Sequence, residues 1–452
     1  MRAPTLPQDF LGWGAVLRLA LVQTAIGAVT VLATSTLNRI MIVELALPAI
    51  LPAALVATHY LVQLVRLHHG HRVDLGGRST PRIIGGLAVL AGGAVSAALA
   101  TVWMQHHLRS GVALAVLAYV LVGIGIGASG TANLALLSKR VAPARRPLVA
   151  ALVWIMMIAG FSVSAALAGH FLQPFSARRL IEVFAGAGTL AFVLGALAVR
   201  GIEARQGSAV AAAAPGRSAR VPASLRSALR ELWAEPMARR FTIFLFVSML
   251  AFSAQELLLE PFAGLVFGFA PAASARLAGL QNAGVVAGML LVVLAALLRR
   301  GKHVGFSLNW MIGGTSGSAL AVAVLALIAA RGLLVMLAPA AFVLGLANGA
   351  FAVAAIGVMM ELSSSGGQGR EGLRMGVWGA AQALAFAAGG LSAGGSVDLS
   401  RWLLGSAGSA YVVVFCLDAM LFVAAVWWAL RLSAAHGADA QHFLTVNRGV
   451  AG

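Results

Sequence analysis

Long apolar stretches separated by short basic segments follow one another along the whole chain. Each stretch is continuous rather than alternating, which is typical of a membrane-spanning helix and not of a barrel strand. About 20 apolar helical residues are needed to cross a hydrocarbon core of roughly 30 Å. The stretches that reach this length are residues 14–37, 47–67, 83–104, 112–137, 148–172, 180–199, 241–267, 275–298, 304–330, 333–360, 375–397 and 409–432. The pattern therefore predicts an all-α polytopic membrane protein with twelve transmembrane helices.

The composition agrees with this prediction and excludes several other classes of protein. Hydrophobic residues make up 60% of the 452 residues and charged residues only 10%, which is too little polar surface for a water-soluble protein of this size. A single cysteine, Cys416, excludes an intrachain disulfide and a cysteine metal cluster. The glycines from Gly123 to Gly130 lie inside an apolar stretch, where they favour close helix packing over nucleotide binding. The sequence contains no catalytic motif, so we do not expect an enzyme.

The basic residues are distributed unequally between the segments that join the apolar stretches. Of the 32 lysines and arginines, 25 fall on the side that carries both termini and 7 fall on the other side. Since positively charged loops stay in the cytoplasm, both termini are expected to be cytoplasmic. The net charge of +18 is then explained by this topology and by contact with anionic lipids of the bilayer, and nucleic acid is not an expected partner.

The longest polar interval divides the twelve stretches into two groups of six. We expect an N-terminal six-helix half at 1–199, a cytoplasmic linker at 200–240, a C-terminal six-helix half at 241–432 and a cytoplasmic tail at 433–452. In the linker, residues 224–233 place leucines opposite arginines at helical spacing, which predicts a short amphipathic helix on the membrane surface. Two six-helix halves joined by a basic loop are typical of the major facilitator fold.

The segment between the second and third stretches supports that fold. Its residues Gly70, Asp74, Gly77 and Arg78 match the facilitator loop signature G-x-x-x-D-x-x-G-R. Glycine permits the tight turn, and the carboxylate of Asp74 could pair with a nearby arginine or cap a helix N-terminus. Such a contact would hold the two halves in one conformation. A solvated basic turn is the alternative interpretation.

Carboxylates at membrane depth are energetically costly, so each one is a candidate functional group. Glu256 and Glu260, preceded by Gln255, lie four residues apart in the seventh stretch and share one helix face. Pro261 frees a backbone carbonyl one turn earlier, so the helix could bend or unwind there. These residues are predicted to form a functional polar face. Ordinary hydrogen bonds between helices, or ion pairs with a residue such as Arg39, are the alternative.

A second polar group, Asn38, Arg39 and Glu44, lies at the end of the first stretch. Arg39 and Glu44 could close the outer side of the protein by pairing, whereas a plain loop with side chains extending toward water is the alternative. Glu361 and Asp418, in the tenth and twelfth stretches, are expected to be packing or capping carboxylates. They are therefore weaker candidates than the pair in the seventh stretch.

Four segments resemble one family in particular. They are TSTLNRIMIVELALPAILPAAL from Thr34, DLGGRSTPRIIGG from Asp74, AQELLLEPFAG from Ala254 and LANGAFAVAAIGVMMEL from Leu346. These segments are similar to the PucC and LhaA family of phototrophic bacteria, the bacteriochlorophyll-delivery branch of the major facilitators. The likeness extends over residues 11–432, and the E-P-F sequence that begins at Glu260 is specific to this family.

This resemblance implies a function. A member of that family would act in the assembly of bacterial light-harvesting antenna complexes, binding or delivering bacteriochlorophyll and docking the antenna α and β polypeptides in the photosynthetic inner membrane. No tightly bound cofactor is expected, since bacteriochlorophyll would be bound cargo, and the pigment synthesis machinery would be a further partner. Proton-coupled transport of a small molecule or pigment precursor, with Glu256 carrying the proton, is the alternative function.

Two histidines in the apolar stretches are candidate ligands for such a pigment. His59 lies within the second stretch and His170 near the end of the fifth. A neutral imidazole could bind the magnesium of a chlorophyll-type pigment, as it binds other metals. A hydrogen-bonding role inside the membrane is the alternative for each histidine. No separate metal site is expected.

Overall fold

A computed structural model of the protein describes residues 10–73, 79–141, 145–203, 230, 233–298, 305–365 and 371–449. In these ranges the chain forms twelve long helices and no strand, which confirms the all-α prediction. The helices are α1 (Trp13–Val43), α2 (Ile50–Val73), α3 (Ser79–Trp103), α4 (Leu108–Arg140), α5 (Arg146–Phe171), α6 (Ala177–Val199), α7 (Pro236–Phe267), α8 (Pro271–Leu298), α9 (Gly305–Arg331), α10 (Leu334–Ser365), α11 (Glu371–Leu404) and α12 (Ala407–Gly449).

Ten of the twelve helices in the described ranges are long and apolar enough to cross a membrane. The exceptions are α2, whose described apolar part is Ile50–Val62, and α11. These two helices pack against each other where the two halves of the protein meet. A helix that is covered by protein on one side needs fewer apolar residues than one surrounded by lipid. The chain is therefore a multi-pass membrane protein.

Helices α1–α6 and α7–α12 are packed according to the same plan. In the first half α1 packs against α5 and α6, α3 against α4 and α6, and α2 against α4. The second half repeats these contacts, so that α7 packs against α11 and α12, α9 against α10 and α12, and α8 against α10. The halves meet where α1 contacts α7, α2 contacts α11 and α5 contacts α8. The chain thus forms two six-helix bundles that share one topology.

The start of α1 defines what we name the terminal side of the bundle, and the end of α1 defines the far side. On the terminal side, Leu11 N donates to Arg140 O at 2.9 Å and the guanidinium of Arg18 donates to Arg200 O at 2.5 Å. These contacts bring the ends of α4 and α6 next to the start of α1. Because consecutive helices run in opposite directions, the ends of α1, α3 and α5 lie on the far side.

Most helices extend beyond the predicted spans, and the extensions of α1 and α12 change the interpretation of the sequence. α1 continues to Val43, so Asn38 and Arg39 lie within a helix and not in a loop. α12 runs to Gly449 and so passes through most of the predicted tail at 433–452. A hydropathy profile falls at the first run of polar residues, whereas a helix continues for as long as its backbone hydrogen bonds are maintained.

Glycines bring several helices into backbone contact. A Cβ atom on Gly345 or Gly349 of α10 would lie 1.9 Å from a backbone oxygen of α8, and one on Gly288 of α8 would lie 2.0 Å from a backbone oxygen of α10. Only glycine fits at such a crossing. Cβ atoms on Gly123 and Gly125 of α4 would lie 2.8 Å from the backbone of α2 and 2.5 Å from that of α3. This confirms the expectation that these two glycines serve helix packing.

Candidate functional site

α7 is interrupted by a proline at the level where it meets α1. Pro261 lies inside α7 and has no N–H, so the carbonyl of Leu257, four residues earlier, lacks its helical donor. Asn38 of α1 supplies the missing donor, because its Nδ2 donates to Leu257 O at 2.8 Å. A backbone carbonyl freed in one half is thus satisfied by an amide from the other half.

The first helix is irregular at the same level. Residues Leu32–Thr36 form a π-helical turn, and the hydroxyl of Tyr119 in α4 donates to Ala33 O at 2.6 Å. Turns of this kind leave backbone groups that are satisfied from outside the helix, and they are frequent at functional sites. Within the turn, the hydroxyl of Ser35 donates to Glu260 Oε1 of α7. The two irregular segments therefore contact each other across the interface between the halves.

Glu260 is a buried carboxylate with only one satisfied oxygen. Its side chain is 1% exposed. Oε1 accepts the hydrogen bond from Ser35, while Oε2 has no partner among the described residues. A buried polar atom without a partner costs free energy. Glu260 Oε2 is therefore placed either to accept a hydrogen bond from a bound molecule or to take up a proton.

Arg39 joins the two halves on the far side of Glu260. Its side chain is 1% exposed, and Nη1 pairs with Glu44 Oε1 at 2.5 Å. Nε donates to Ser274 Oγ at 3.3 Å, and Nη2 donates to Phe269 O. Ser274 and Phe269 belong to the second half, whereas Arg39 and Glu44 belong to the first. Separation of the halves at this point would break the hydrogen bonds from Arg39 to Ser274 and Phe269, while the ion pair with Glu44 stays within the first half. The two hydrogen bonds therefore stabilise the closed far side.

The sequence allowed Arg39 to pair either with Glu44 or with the carboxylates of α7, and the structure distinguishes these two possibilities. Its ion pair is formed with Glu44, and no ion pair joins it to Glu256 or Glu260 in the described part of the chain. Glu260 instead makes a hydrogen bond between helices, which was the plainer alternative for that residue. A Cβ atom on Gly264 of α7 would lie 3.2 Å from Arg39 Nη2, so glycine provides the room for the guanidinium. Opening and closing of this contact stays a prediction.

Gln255 and Glu256 extend from α7 in different directions. Gln255 is buried, and its Oε1 accepts from Gln281 Nε2 of α8 at 3.2 Å, inside the second half. Glu256 is half-buried and lies within electrostatic range of Tyr60 of α2. The ring of Tyr60 contacts that of Phe386 in α11, with the ring centroids 4.9 Å apart. Glu256 therefore faces the space where α2, α7 and α11 meet between the halves.

A carboxylate that sequence reasoning missed makes another contact between the halves. Asp398 of α11 accepts hydrogen bonds from Ala49 N and Ile50 N, each at 2.8 Å, and so caps the N-terminus of α2. The signal in the sequence was indirect. α2 begins after Pro48 and Ala49, neither of which has a capping side chain, so its first N–H groups need an acceptor from elsewhere.

Hydrogen bonds between described residues of the two halves all lie toward the far side. They join α1 to α7 and α2 to α11, as described above. They also join α5 to α8, where Ser162 Oγ donates to Gly279 O at 2.9 Å, and the loop after α5 to α8, where Arg276 Nη2 donates to Gln173 Oε1 at 2.6 Å. In this conformation the hydrogen bonds between the described residues therefore hold the two halves together at the far side.

Comparison with known proteins identifies the family. The chain matches the family model described as PUCC protein over residues 36–437. It belongs to the PUCC family. A relative from Rhodobacter capsulatus named "Bacteriochlorophyll synthase 44.5 kDa chain" is 49% identical over 429 residues, which cover 95% of this chain and 97% of the relative. "Protein PucC" of the same organism is 30% identical, with 92% of each chain covered. The resemblance found in the sequence segments is thus confirmed.

Solved structures show the fold of this PUCC family member. A crystal structure of the nucleoside transporter NupG has a TM-score of 0.65 at 14% identity and covers 92% of this chain and 98% of its own. A POT family transporter in complex with a thioalcohol conjugated peptide has a TM-score of 0.68 at 11% identity and covers 94% of this chain and 99% of its own. At such low identity the likeness shows the fold alone. It confirms the major facilitator fold predicted from the sequence.

The two candidate pigment ligands in this PUCC family member have different surroundings. His59 is 1% exposed, and its Nδ1 lies 2.5 Å from Val56 O. His170 is exposed near the end of α5, where its ring meets Phe171 edge to face with centroids 5.2 Å apart. A large pigment could approach His170 directly from the bilayer, whereas it would have to displace packed helices before it contacted His59. Ligation by either histidine stays a prediction.

The facilitator loop motif falls at the edge of the described residues. Asp74, Gly77 and Arg78 lie in the gap between α2 and α3, and Gly70 lies on the last part of α2. Directly after the gap, the backbone N–H groups of Ser79 and Thr80 donate to the carboxylate of Glu203 at 2.9 Å each.

This contact means that the N-terminus of α3 is capped from the segment after α6. The proposed pairing or capping by Asp74 stays a prediction.

Three further expectations have different outcomes. Asp418 is 2% exposed, and neither of its oxygens has a partner among the described residues. It is therefore a packed carboxylate that caps no described helix. The side chain of Glu361 lies outside the described residues, as does most of the predicted amphipathic helix at 224–233.

Proposed function

We propose that this protein is an assembly factor for bacterial light-harvesting antenna complexes. It acts in the photosynthetic membrane with both termini in the cytoplasm, binds or delivers bacteriochlorophyll, and docks the antenna α and β polypeptides. The observation that carries the proposal is the match to the PUCC family over residues 36–437, together with 49% identity to a protein named after bacteriochlorophyll synthesis. The excess of basic residues on the side of the termini supports the orientation.

The polar groups between the halves support a role without catalysis. Asn38 is held by a backbone carbonyl of α7, Glu260 by Ser35, and Arg39 by three acceptors. Each of these groups makes a contact that holds helices together, and Glu260 Oε2 is the acceptor among them that has no partner in the described residues. We propose that this protein assists pigment handling and does not synthesise pigment, although a relative is named after bacteriochlorophyll synthesis.

Proton-coupled transport is the second candidate, and Glu256 is the observation that favours it. This carboxylate is half-buried between the halves, and it makes no hydrogen bond to another described residue. The solved structures with the same fold are transporters. We favour assembly because the family match concerns nearly the whole chain, whereas the likeness to the transporters concerns the fold alone.

Deletion of the gene from its phototrophic host tests the proposed function. We expect most of the antenna absorbance to be lost, while pigment precursors are still converted to bacteriochlorophyll, because the missing step is assembly. Membrane absorbance spectra and pigment extraction measure the two quantities, and complementation with the intact gene is the control. Normal antenna absorbance in the deletion strain would contradict the proposal, and a block in pigment synthesis would favour an enzyme of that pathway.

Substitutions of Glu256 separate assembly from transport. If Glu256 holds a partner by hydrogen bonding, Glu256→Gln is expected to retain most antenna assembly and Glu256→Leu to lose it, since the amide keeps an acceptor and a donor. If Glu256 carries protons, both variants are expected to be inactive. Antenna absorbance at matched protein abundance is the measurement. Full assembly in the leucine variant would remove Glu256 from the mechanism.

A further inference from the structure

A groove that opens to the bilayer lies between α1, α5 and α6 on the outer surface of the first half. Its volume is about 850 Å³, which is within the range of roughly 300–1,000 Å³ for sites that hold small organic ligands. On α5 its lining runs from Ala159 to Phe171, a distance of about 18 Å along a helix with 1.5 Å rise per residue. The groove therefore extends from the far side into the middle of the membrane.

Small side chains form the floor of the groove, and larger apolar ones form its rims. Ala25 and Ala28 of α1 and Gly186 of α6 contribute to the lining. A Cβ atom on Gly186 would meet nothing within 4 Å, so this glycine leaves open space and not a tight helix contact. The rims carry side chains such as Val163 and Leu190, which are 57% and 55% exposed. In a membrane such a surface accommodates a long apolar chain.

The polar end of the groove is at the far side, where His170 is the group that remains available. His170 is exposed and makes no hydrogen bond to another described residue. The arginines around it are engaged by protein acceptors. Arg178 pairs with Glu182 at 2.7 Å, Arg276 donates to Gln173 Oε1 at 2.6 Å, and Arg179 donates to the carbonyls of Gln173 and Pro174.

This arrangement favours one class of ligand over another. A phospholipid headgroup would be recognised by cations that are not already paired with protein acceptors. An imidazole without a hydrogen bond is instead suited to a metal, because the neutral ring nitrogen carries a lone pair. The end of the groove thus presents a metal ligand at the level of the interface, and the rest presents an apolar channel.

We infer that this groove holds one magnesium tetrapyrrole of the bacteriochlorophyll type, with the imidazole of His170 as the axial ligand of the magnesium and the hydrocarbon tail along α1, α5 and α6. The inference rests on the proposed function and assigns a place to its cargo. A pigment in this groove is open to the bilayer along its length, so it can be passed sideways to an antenna helix. The site lies outside the interface between the halves and does not require that interface to open.

His59 is the matched comparison within the same chain. Its ring is 1% exposed and its Nδ1 lies 2.5 Å from a backbone carbonyl. A Cβ atom on Gly123 of α4 would lie 2.8 Å from His59 O, so α4 covers this part of α2. His59 is thus buried against α4 and presents no exposed ring face to a tetrapyrrole. The structure therefore assigns the pigment to His170 and not to His59.

Binding of bacteriochlorophyll to the purified full-length protein tests the inference. In detergent or nanodiscs, we expect His170→Leu to weaken binding by about tenfold or more, in line with the loss of a metal contact, and to change the absorption band that reports magnesium coordination. Gly186→Leu is expected to weaken binding equally, because the new side chain fills the groove. Removing the magnesium from the pigment should have the same effect as removing its ligand. The affinity of the wild type for the metal-free pigment is therefore expected to be no higher than the affinity of His170→Leu for bacteriochlorophyll.

The control is Gly92→Leu on α3. Gly92 is exposed like Gly186, and a Cβ atom on it would also meet nothing within 4 Å, but it lies outside the groove. Binding unchanged in both His170→Leu and Gly186→Leu, or lost only in His59→Leu, overturns the inference about the groove. The proposed function has a separate readout, since it fails only if the deletion strain assembles normal antenna. If the wild-type protein binds antenna polypeptides but no pigment, the inference about the groove is wrong and the proposed role in assembly still stands.

Discussion

Replacing Gly345 with alanine is expected to prevent stable folding of the second half. A Cβ atom at this position would lie 1.9 Å from Gln281 O, a backbone atom of α8, so the side chain cannot turn away and the two helices have to separate. Separation also removes the contacts at Gly349 and Gly288, which depend on the same crossing. We expect a destabilisation of about 3 kcal/mol or more. Protein abundance in membranes and thermal denaturation after solubilisation measure it.

Gly313→Ala on α9 is the matched control for this substitution. Gly313 is exposed, and a Cβ atom on it would meet nothing within 4 Å. The same chemical change is therefore expected to leave abundance and thermal stability close to those of the wild type. Wild-type stability of Gly345→Ala would show that α8 and α10 do not cross as closely as described.

Replacing Arg39 with methionine is expected to open the far side and to abolish most antenna assembly. The substitution keeps an apolar stem of similar length but removes the donors to Ser274 and Phe269 of the second half and the ion pair to Glu44. Loss of about 3 kcal/mol from the closed form would shift the balance between closed and open forms roughly a hundredfold. Arg39→Lys is expected to give an intermediate effect, because an ammonium group cannot present the same planar set of donors.

Accessibility of a buried position measures this opening. Thr36 is 1% exposed in the π-helical turn, so Thr36→Cys in a Cys416→Ser background is expected to resist a membrane-impermeant maleimide. Adding Arg39→Met is expected to make it react from the far side. Arg331→Met is the control, since Arg331 is an exposed arginine in the last turn of α9 on the same side. No gain of labelling with Arg39→Met, at wild-type assembly, would mean that the arginine does not close the protein.

The fold could be predicted from the sequence because the bilayer imposes one solution on each apolar stretch. An uninterrupted run of about 20 apolar residues satisfies its backbone only as a helix, so the number and type of the elements followed without knowledge of their contacts. The ends of the helices could not be predicted in the same way. Asn38 and Arg39 are polar and ended the predicted first span, yet they lie inside α1 because α7 and the start of α8 supply their partners.

The candidate site was predictable in its residue types and unpredictable in its pairings. Pro261 predicted a carbonyl without a helical donor one turn earlier in α7, and in the structure this carbonyl belongs to Leu257. Its donor, Asn38, is 219 residues away along the chain. Ser35 and Ser274 were missed because a hydroxyl group hardly alters the hydropathy of an apolar stretch, although it becomes decisive next to a buried carboxylate or guanidinium.

By itself, the sequence determined that this chain is a membrane protein with twelve helices, and its segments identified the family. Those properties depend on local apolarity and on residue patterns that are complete within a short segment. Only the tertiary structure decided that Glu260 is closed in by Ser35 while Glu256 faces the space between the halves, and that His59 is covered while His170 ends an open groove. Each member of these pairs has the same chemistry as the other, so the difference lies in the neighbouring helices that bury one side chain and leave the other accessible.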